Sequence, residues 1–465
     1  MIFSSYNFMF IFLPATLLGC GLIRRYAGVG AAKVFIVVAS LVFYAQSRTL
    51  YVLILAGTLL FNYALSKYLC LEKSPAAKFA LALAFIENLG VLFYFKYTGF
   101  FFESVNMIAG TDFIFRAIIL PVGISFFTFQ ILAYSIDLYR GDIQRANLLD
   151  FSVFVTFFPQ LIVGPIIRFS DMGEQLRRDD VFTYKSENIM RGVFLFSIGC
   201  GKKIILADPL ITHAQAFYAS SVGAGPLESW LGVMSYTFAY YFDFSGYIDM
   251  ALALGIIFNI KLPINFNSPY KATSFADFWR RWNMTVSRFF EDYIFKSIFK
   301  FGGRIWKMVF AVMVTFLVSG VWHGAGWRFI AWGLFNGALV AISNILALRR
   351  VKIPKAIGFV STFFFVVMAR VIFDSSSISQ ALQVYKALFS LDAGIISSFV
   401  PFVNGNMLII LINIVGAAIC FFAPNSGELT ERLKAGWPAA VCSGALIAAS
   451  LLFMGEVSDF LYFQF

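Results

Sequence analysis

Histidine is the side chain whose proton moves most easily near neutral pH, and the 465 residues of this chain include only two of them. His323 lies in the run VWHGAGWR, which starts at Val321 and is flanked on both sides by long apolar stretches. An ionisable ring at membrane depth is costly and by default marks a functional position. The neighbouring residues Trp322 and Trp327 supply bulky walls, and the glycines between them permit close backbone approach. We therefore predict that His323 is a general base in a tight apolar passage.

The other histidine, His213, lies in a predicted outer loop or span end, where a histidine is readily solvated, so a structural role is expected for it. A single base beside a bound donor and acceptor suffices for acyl transfer, because it can remove the proton of an incoming hydroxyl. The sequence has no G-x-S-x-G, P-loop or G-x-G-x-x-G motif. Its five cysteines lack metal or redox spacing. We expect no metal centre and no tightly bound cofactor.

A second group of polar side chains lies within one predicted span. Asp243, Ser245 and Tyr247 belong to the run YYFDFSGYID at residues 240–249. Such residues either line a polar path or form internal hydrogen bonds between helices. We assign these three to the lining of a substrate path.

Residues 151–168 are apolar but interrupted by prolines and a glycine, and they are short for a crossing. A broken helix at membrane depth is tolerated only where it is buried in protein or lines a cavity. The stretch is therefore either a kinked structural helix or a re-entrant wall of the site. We assign Gln160 and Pro165 to that wall.

Residues 274–293 have the pattern of an amphipathic helix. Ser274 and Asp277 have the spacing of a capping box, and an apolar stripe includes Trp279 and Trp282. Charged residues four apart, such as Asp277 with Arg281, would pair on the other face. The pattern predicts one helix that lies at the membrane interface or dips into the protein. We assign Trp279 and Trp282, with Trp322 and Trp327, to the lining of the substrate path.

Asn283 borders that apolar stripe and is the second catalytic candidate. A helical asparagine in such a place often only hydrogen-bonds a neighbour. Its functional use would be to orient the histidine or to donate to a developing oxyanion. We expect Asn283 to support His323.

Composition sets the class of protein. Hydrophobic residues make up 60% of the chain and charged residues 13%, with a mean hydropathy of +0.80, which excludes a soluble globule. The net charge of +11 comes from short loops between apolar runs, such as the one containing Arg24, Arg25 and Lys33, so membrane orientation explains it better than nucleic-acid binding. The predicted spans are residues 6–23, 33–46, 50–67, 79–96, 114–139, 189–207, 229–258, 308–322, 328–348, 356–373, 405–423 and 436–454.

Connectors rich in lysine and arginine alternate with poor ones. Residues 349–355 contain four basic side chains, whereas residues 208–230 contain none. This asymmetry predicts about twelve crossings with both termini outside the cytoplasm. The expected architecture is an all-α polytopic membrane protein, a single domain over residues 1–465, with re-entrant or interfacial helices around a transmembrane tunnel or funnel.

Five segments together resemble the membrane-bound O-acyltransferase (MBOAT) superfamily, in particular its bacterial alginate-type polysaccharide O-acetyltransferases. The segments are FFPQLIVGPIIR (157–168), YFDFSGYIDM (241–250), FWRRWN (278–283), VWHGAGW (321–327) and FLYFQF (460–465). In this resemblance His323 matches the catalytic histidine and Asn283 the second polar catalytic position. Bacterial relatives often have histidine at the second position, so this chain departs from its branch there. It departs again at residues 371–375, VIFDS, where relatives commonly have Phe-Phe-Arg-Ala.

The resemblance implies an O-acyltransferase of the bacterial inner membrane that takes an acetyl group from cytoplasmic acetyl-CoA. It also implies a periplasmic or membrane-anchored partner with a serine esterase-like fold, which completes delivery to an exported polysaccharide. Arg168, Arg280 and Arg281 suit the phosphates of coenzyme A. Alternatively these arginines are ordinary cytoplasmic loop residues.

Other functions remain open from the sequence. Within the same chemistry, the acceptor could be peptidoglycan, or the transferred group could be D-alanine delivered to teichoic acid. From another class, a transporter or channel for glycans or ions would require discontinuous helices in symmetry-related halves. No such repeat is recognisable in this sequence.

Overall fold

The computed structural model describes residues 2–46, 48–71, 74–115, 118–221, 223–300, 302–390, 395–433, 436–456 and 460–461. The chain is 79% helical, and its described part contains no β-strand. The predicted all-α class is confirmed. Tyr462 to Phe465, which complete the C-terminal segment of the family resemblance, lie outside the described residues.

The chain divides into two compact units. Unit 1 comprises Met1–Ser197, Tyr247–Ile264 and Leu433–Gly444, and unit 2 comprises Ile198–Gly246, Asn265–Arg432 and Ala445–Phe465. The single domain over residues 1–465 stays a prediction.

Nine α-helices lie in the described N-terminal part of the chain. They are α1 (Leu13–Ala45), α2 (Thr49–Leu69), α3 (Pro75–Leu92), α4 (Thr98–Ala109), α5 (Ile124–Arg140), α6 (Leu148–Thr156), α7 (Phe158–Leu161), α8 (Phe169–Arg177) and α9 (Ser186–Cys200). Turns of π-helix occupy Asn7–Phe12, Phe93–Tyr97 and Gly201–Ala207.

The remaining helices are α10 (Asp208–Ala219), α11 (Pro226–Ile257), α12 (Phe275–Arg281), α13 (Met284–Phe290), α14 (Lys296–Ile298), α15 (Ile305–His323), α16 (Trp327–Leu348), α17 (Lys355–Asp374), α18 (Ile378–Leu388), α19 (Ile395–Phe422), α20 (Ser426–Glu431) and α21 (Trp437–Phe453). A further π-helical turn, Glu291–Phe295, lies between α13 and α14.

Seven described helical segments are long and apolar enough to cross a membrane. They are Asn7–Ala45, Thr49–Leu69, Pro75–Ala109, Ile305–His323, Trp327–Leu348, Lys355–Asp374 and Ser398–Phe422. In α17, half of the residues in the most apolar 18-residue stretch are buried inside the protein, whereas in α19 the buried share of such a stretch is 17%. The twelve crossings and the tunnel stay predictions.

Helix α1 contains a sharp bend at Gly28, where φ is 83° and ψ is −176°. The ring of Phe35 lies against Gly19, although in a straight helix the residues between them would span roughly 24 Å. The chain therefore folds back at Gly28, between the first two predicted spans. The prediction that Arg24, Arg25 and Lys33 share a loop is wrong, because all three are helical and Lys33 is also buried.

The break predicted within residues 151–168 is present. Helix α6 ends at Thr156, the four-residue α7 follows, and the chain then continues without helix to Arg168. Gln160 and Pro165 are both buried, so this irregular backbone is enclosed by protein.

The single amphipathic helix predicted for residues 274–293 is wrong in one respect. Its start is as predicted, since the Ser274 hydroxyl accepts a hydrogen bond from the Asp277 amide at 3.1 Å. The helix then breaks, because Trp282 is extended and Asn283 has a left-handed φ of 44°. Asparagine tolerates this conformation better than most residues. Two short helices, α12 and α13, replace one long one.

Candidate active site

His323 is the last residue of α15 and is 7% exposed. Helices α15 and α16 approach closely at glycines, because a side chain on Gly320 would meet the Phe329 carbonyl and one on Gly333 would meet the Phe316 carbonyl. This backbone contact fixes the end of α15 against the start of α16. It explains why glycines precede and follow the histidine.

Aromatic rings surround the imidazole, and we call three of them, Trp322, Trp332 and Phe373, the aromatic cage. The ring centroids of Trp332 and Phe373 lie 5.0 Å and 5.5 Å from that of His323, with interplanar angles of 84° and 81°. The neighbouring Trp322 ring lies at 4.9 Å. The cage draws on three spans, α15, α16 and α17, and it restricts water around the imidazole.

Helix α12 packs against the aromatic cage. The Trp279 ring packs 5.7 Å from Trp332, and its Nε1 is buried without a hydrogen-bond partner among the described residues. Trp282 is 7% exposed and stacks on Tyr240 at 5.9 Å. The structure thus brings both predicted tryptophans to the surroundings of the cage.

Asn283 is 2% exposed and is held by a local network. Its Oδ1 accepts a hydrogen bond from Asn265 Nδ2 at 3.3 Å, while Asn265 Oδ1 accepts one from the Thr285 hydroxyl at 2.6 Å. A row of aromatic rings runs from the neighbour of Asn283, Trp282, to the cage. The Tyr240 ring centroid lies 5.9 Å from that of Trp282 and 5.9 Å from that of the cage residue Phe373. The catalytic role of Asn283 stays a prediction.

A buried charge cluster that the sequence analysis missed borders the cage. On α17, Arg370 pairs with Asp374, and their side chains are 9% and 1% exposed. The Arg370 guanidinium lies 3.7 Å from the Tyr240 ring centroid and 4.8 Å from that of Phe373. The available signal was a lone arginine in an apolar span, which by default indicates a functional position.

Arg328, the second residue of α16, closes the end of α17. It donates to the carbonyl oxygen of Phe373 at 3.1 Å and to that of Ser375. A cation at a helix C-terminus is favourable, because the last carbonyls lack partners within the helix. Arg328 thereby fixes the backbone of the cage residue Phe373.

Asp243 has a partner that the sequence did not suggest. Lys203, in the π-helical turn, lies 2.7 Å from Asp243 and 2.8 Å from Asp208, and all three side chains are buried. The other Asp243 oxygen accepts a hydrogen bond from the Leu461 amide at 3.0 Å. Ser245 is also buried, at 1% exposure. Both residues belong to the protein interior, and their lining of a substrate path stays a prediction.

Several predicted site residues belong to unit 1. Gln160 donates to the Phe154 carbonyl at 2.5 Å, and the Tyr247 ring stacks 4.7 Å from Phe3. Arg168 is half-buried at the start of α8.

The other predicted residues belong to unit 2. Arg280 is exposed, whereas Arg281 pairs with Asp277 at 3.1 Å, as the spacing indicated. Trp322 is 3% exposed, but Trp327 is 47% exposed and does not belong to the aromatic cage. The roles of these residues in substrate binding stay predictions.

His213 lies in helix α10, so of the two predicted placements the loop is wrong and the span end stays a prediction. Desolvation lowers the pKa of its half-buried imidazole.

An open groove of about 310 Å³ lies between α11 and α19, and it is lined by apolar side chains and Asn413. Neither His323 nor its cage belongs to that lining.

Residues 49–378 match the model of the MBOAT, membrane-bound O-acyltransferase family. The chain belongs to this family. His323, Asn283 and the aromatic cage all lie within the matched region. The protein is therefore an acyltransferase, and it is a multi-pass membrane protein.

The relatives agree on the type of reaction. A peptidoglycan O-acetyltransferase of Helicobacter pylori is 34% identical over 100% of this chain and 98% of its own length. A probable alginate O-acetylase of Pseudomonas aeruginosa is 36% identical over 84% of this chain and 75% of its own length. A teichoic acid D-alanyltransferase of Streptococcus thermophilus is 31% identical over 50% of this chain and 59% of its own length.

Proposed function

We propose that this MBOAT enzyme transfers an acetyl group from cytoplasmic acetyl-CoA to a glycan outside the cytoplasm, with His323 as general base. The observation that supports this most is the buried imidazole at the end of α15, enclosed by the aromatic cage. A basic group held in a water-poor site can serve proton transfer without hydrolysing the donor.

In the proposed reaction His323 takes the proton of the acceptor hydroxyl while its oxygen attacks the thioester carbonyl. The tetrahedral intermediate collapses, the carbon–sulfur bond breaks, and the imidazolium returns its proton to the leaving thiolate. The products are an acetyl ester and coenzyme A, so atoms and charges balance. Asn283 supports the step by donating to the oxyanion or by orienting the imidazole.

The direction of transfer is supported by where the basic residues lie on three spans of unit 2. Lys300, Arg304 and Lys307 precede or open α15, and His323 ends it. Four more basic residues lie between α16 and the start of α17. Lysine and arginine favour the cytoplasmic side, so we infer that His323 lies towards the opposite face of the bacterial inner membrane.

The acceptor that we propose first is an exported polysaccharide, as the name of the alginate O-acetylase relative suggests. Peptidoglycan is the second candidate, favoured by the match to the Helicobacter pylori enzyme over nearly the full length of both chains. We further propose that a membrane-anchored or periplasmic partner with a serine esterase-like fold assists delivery to the glycan, which itself accepts the acetyl group from this enzyme. We assign the donor phosphates to Arg280, which is exposed, with Arg281 and Arg168 as further candidates.

Sealed right-side-out vesicles test both donor and direction. Vesicles containing the full-length protein are loaded with acetyl-labelled acetyl-CoA, and alginate oligosaccharide or a peptidoglycan glycan strand is added outside. We expect label on one external glycan, and the vesicles with His213→Ala should behave like wild type. Label that reaches glycan only when both substrates share one compartment would contradict transfer across the membrane. No labelled glycan in either arrangement would contradict the acetyltransferase itself.

A further inference from the structure

The ion pair beside the aromatic cage is incompletely satisfied. Asp374 Oδ1 pairs with Arg370, but Asp374 Oδ2 and Arg370 Nε are buried without a hydrogen-bond partner among the described residues. A buried polar atom left unpaired costs free energy, so such atoms point to a bound polar group. Here one pair of side chains offers a spare acceptor and a spare donor.

A hydroxyl group matches that pair, because its oxygen accepts one hydrogen bond while its hydrogen donates another. We propose that Arg370 and Asp374 bind a hydroxyl of the acyl acceptor. This inference rests on the proposed function and adds the recognition of the acceptor to it.

The location of the pair agrees with this role. Asp374 ends α17, whose first residue is Lys355, just as His323 ends α15. Arg328, at the start of α16, interacts electrostatically with Asp374. The pair thus lies at the same end of three consecutive spans as the base, opposite the basic connectors. That end faces the acceptor if transfer runs outward.

The hydroxyl at the ion pair is not the one that reacts. The Phe373 ring lies between them, 4.8 Å from the Arg370 guanidinium and 5.5 Å from the His323 ring. A general base needs its proton donor within about 3 Å. The acceptor therefore presents at least two hydroxyls, one at His323 and one at the ion pair, as a sugar does.

A third buried polar atom belongs to a residue near the ion pair. The Tyr218 hydroxyl on α10 is buried without a hydrogen-bond partner among the described residues, and Tyr218 is electrostatically coupled to Asp374. Its ring packs 5.5 Å from Tyr236, which in turn lies 5.7 Å from the Arg370 guanidinium. Tyr218 is suited to a second contact with the same sugar.

The test compares Asp374→Asn and Tyr218→Phe with wild type in membranes, using acetyl-CoA and an alginate or peptidoglycan oligosaccharide. Asp374→Asn should raise the KM for the oligosaccharide about ten- to a hundredfold, as expected for a lost hydrogen bond to a charged group, with the KM for acetyl-CoA unchanged. Tyr218→Phe removes a hydroxyl without a described protein partner, so the fold should tolerate it, yet the same KM should rise several-fold. The matched control is Asp150→Asn, which alters a buried ion pair in unit 1.

The inference is overturned if both variants keep the wild-type KM for the oligosaccharide, or if Asp374→Asn changes only the amount of active enzyme, as Asp150→Asn would. If wild-type membranes transfer no acetyl group, the proposed function fails instead. Oligosaccharide binding to purified protein then tests the site separately. Asp374→Asn must weaken that binding by a similar factor, and equal affinity overturns the assignment.

Discussion

Two buried ion pairs, one in each unit, differ in how completely they are satisfied. In unit 1, Lys33 lies 2.5 Å from Asp150, and the second Asp150 oxygen accepts a hydrogen bond from Asn147 at 2.8 Å. In unit 2, Arg370 and Asp374 pair, but each retains a polar atom without a partner among the described residues. The first arrangement is closed, whereas within the described part of the chain the second retains one unused acceptor and one unused donor.

The difference shows that a buried charge does not by itself identify a functional site. A pair whose remaining hydrogen bonds are made by the protein joins helices, as Lys33 and Asp150 join α1 and α6. Arg370 and Asp374, which keep a donor and an acceptor beside His323 that no described residue uses, are the pair for which we propose ligand binding. The number of unused hydrogen bonds therefore separates the two cases.

The largest stability effect is expected at the closed pair. Lys33→Met leaves the Asp150 carboxylate buried without its cation, which should destabilise the protein by about 3–5 kcal/mol. Thermal unfolding of the purified protein in detergent measures the loss. Lys33→Met combined with Asp150→Leu should recover most of it, since an apolar pair leaves no stranded charge. A loss below about 1 kcal/mol for the single variant would show that the pair is not structural.

The next largest effect is expected where α15 packs against α16 and positions the aromatic cage. In Gly320→Ala the added methyl would overlap the Phe329 carbonyl, one turn before His323. Overpacking of this kind costs about 1–3 kcal/mol and should also lower acetyl transfer, because α15 shifts against α16. Gly57→Ala in α2 is the matched control, since no described atom lies within 4 Å of the added group. Full activity in Gly320→Ala would show that the position of His323 tolerates displacement.

Two substitutions at Asn283 separate the effect of its backbone conformation from the effect of its side-chain amide. Asn283→Ala places alanine at a left-handed φ of 44°, at a cost of about 1–2 kcal/mol, whereas Asn283→Gly has no such strain. Both variants lose the side-chain amide, so turnover should fall about tenfold in each, the equivalent of one hydrogen bond. Wild-type turnover in the glycine variant would assign Asn283 to the turn alone.

The smallest effects compare equivalent helix caps in the two units. Ser74 accepts from the Ala77 amide and Ser274 from the Asp277 amide, both at 3.1 Å, so each change to alanine should cost about 1 kcal/mol. Ser274→Ala should also lower turnover, because α12 carries Trp279 against the cage residue Trp332. Equal turnover in the two variants would separate α12 from catalysis.

Local signals in the sequence predicted local structure well. The cap at Ser274, the pair of Asp277 with Arg281 and the breaks after Thr156 follow from contacts within a few residues. The apolar runs gave the spans α15, α16 and α17 nearly to their ends. Those features depend on neighbouring residues alone, so one sequence suffices to predict them.

Contacts between distant parts of the chain could not be predicted in this way. The cage joins His323 to Trp332 and Phe373, and nothing in the spacing specifies which face of α17 meets α15. The same holds for Lys203, whose two acidic partners lie 5 and 40 positions away. The break at Asn283 was locally encoded by a residue tolerant of positive φ, but the amphipathic pattern obscured it.

The most direct test of the account is acetyl transfer by His323→Ala, measured with labelled acetyl-CoA and glycan at equal amounts of membrane-inserted protein. A positioned base contributes about 10²–10⁴-fold, so the rate should fall by that factor, while His213→Ala keeps its rate. Transfer by His323→Ala at the wild-type rate would contradict the assignment of His323 as the base.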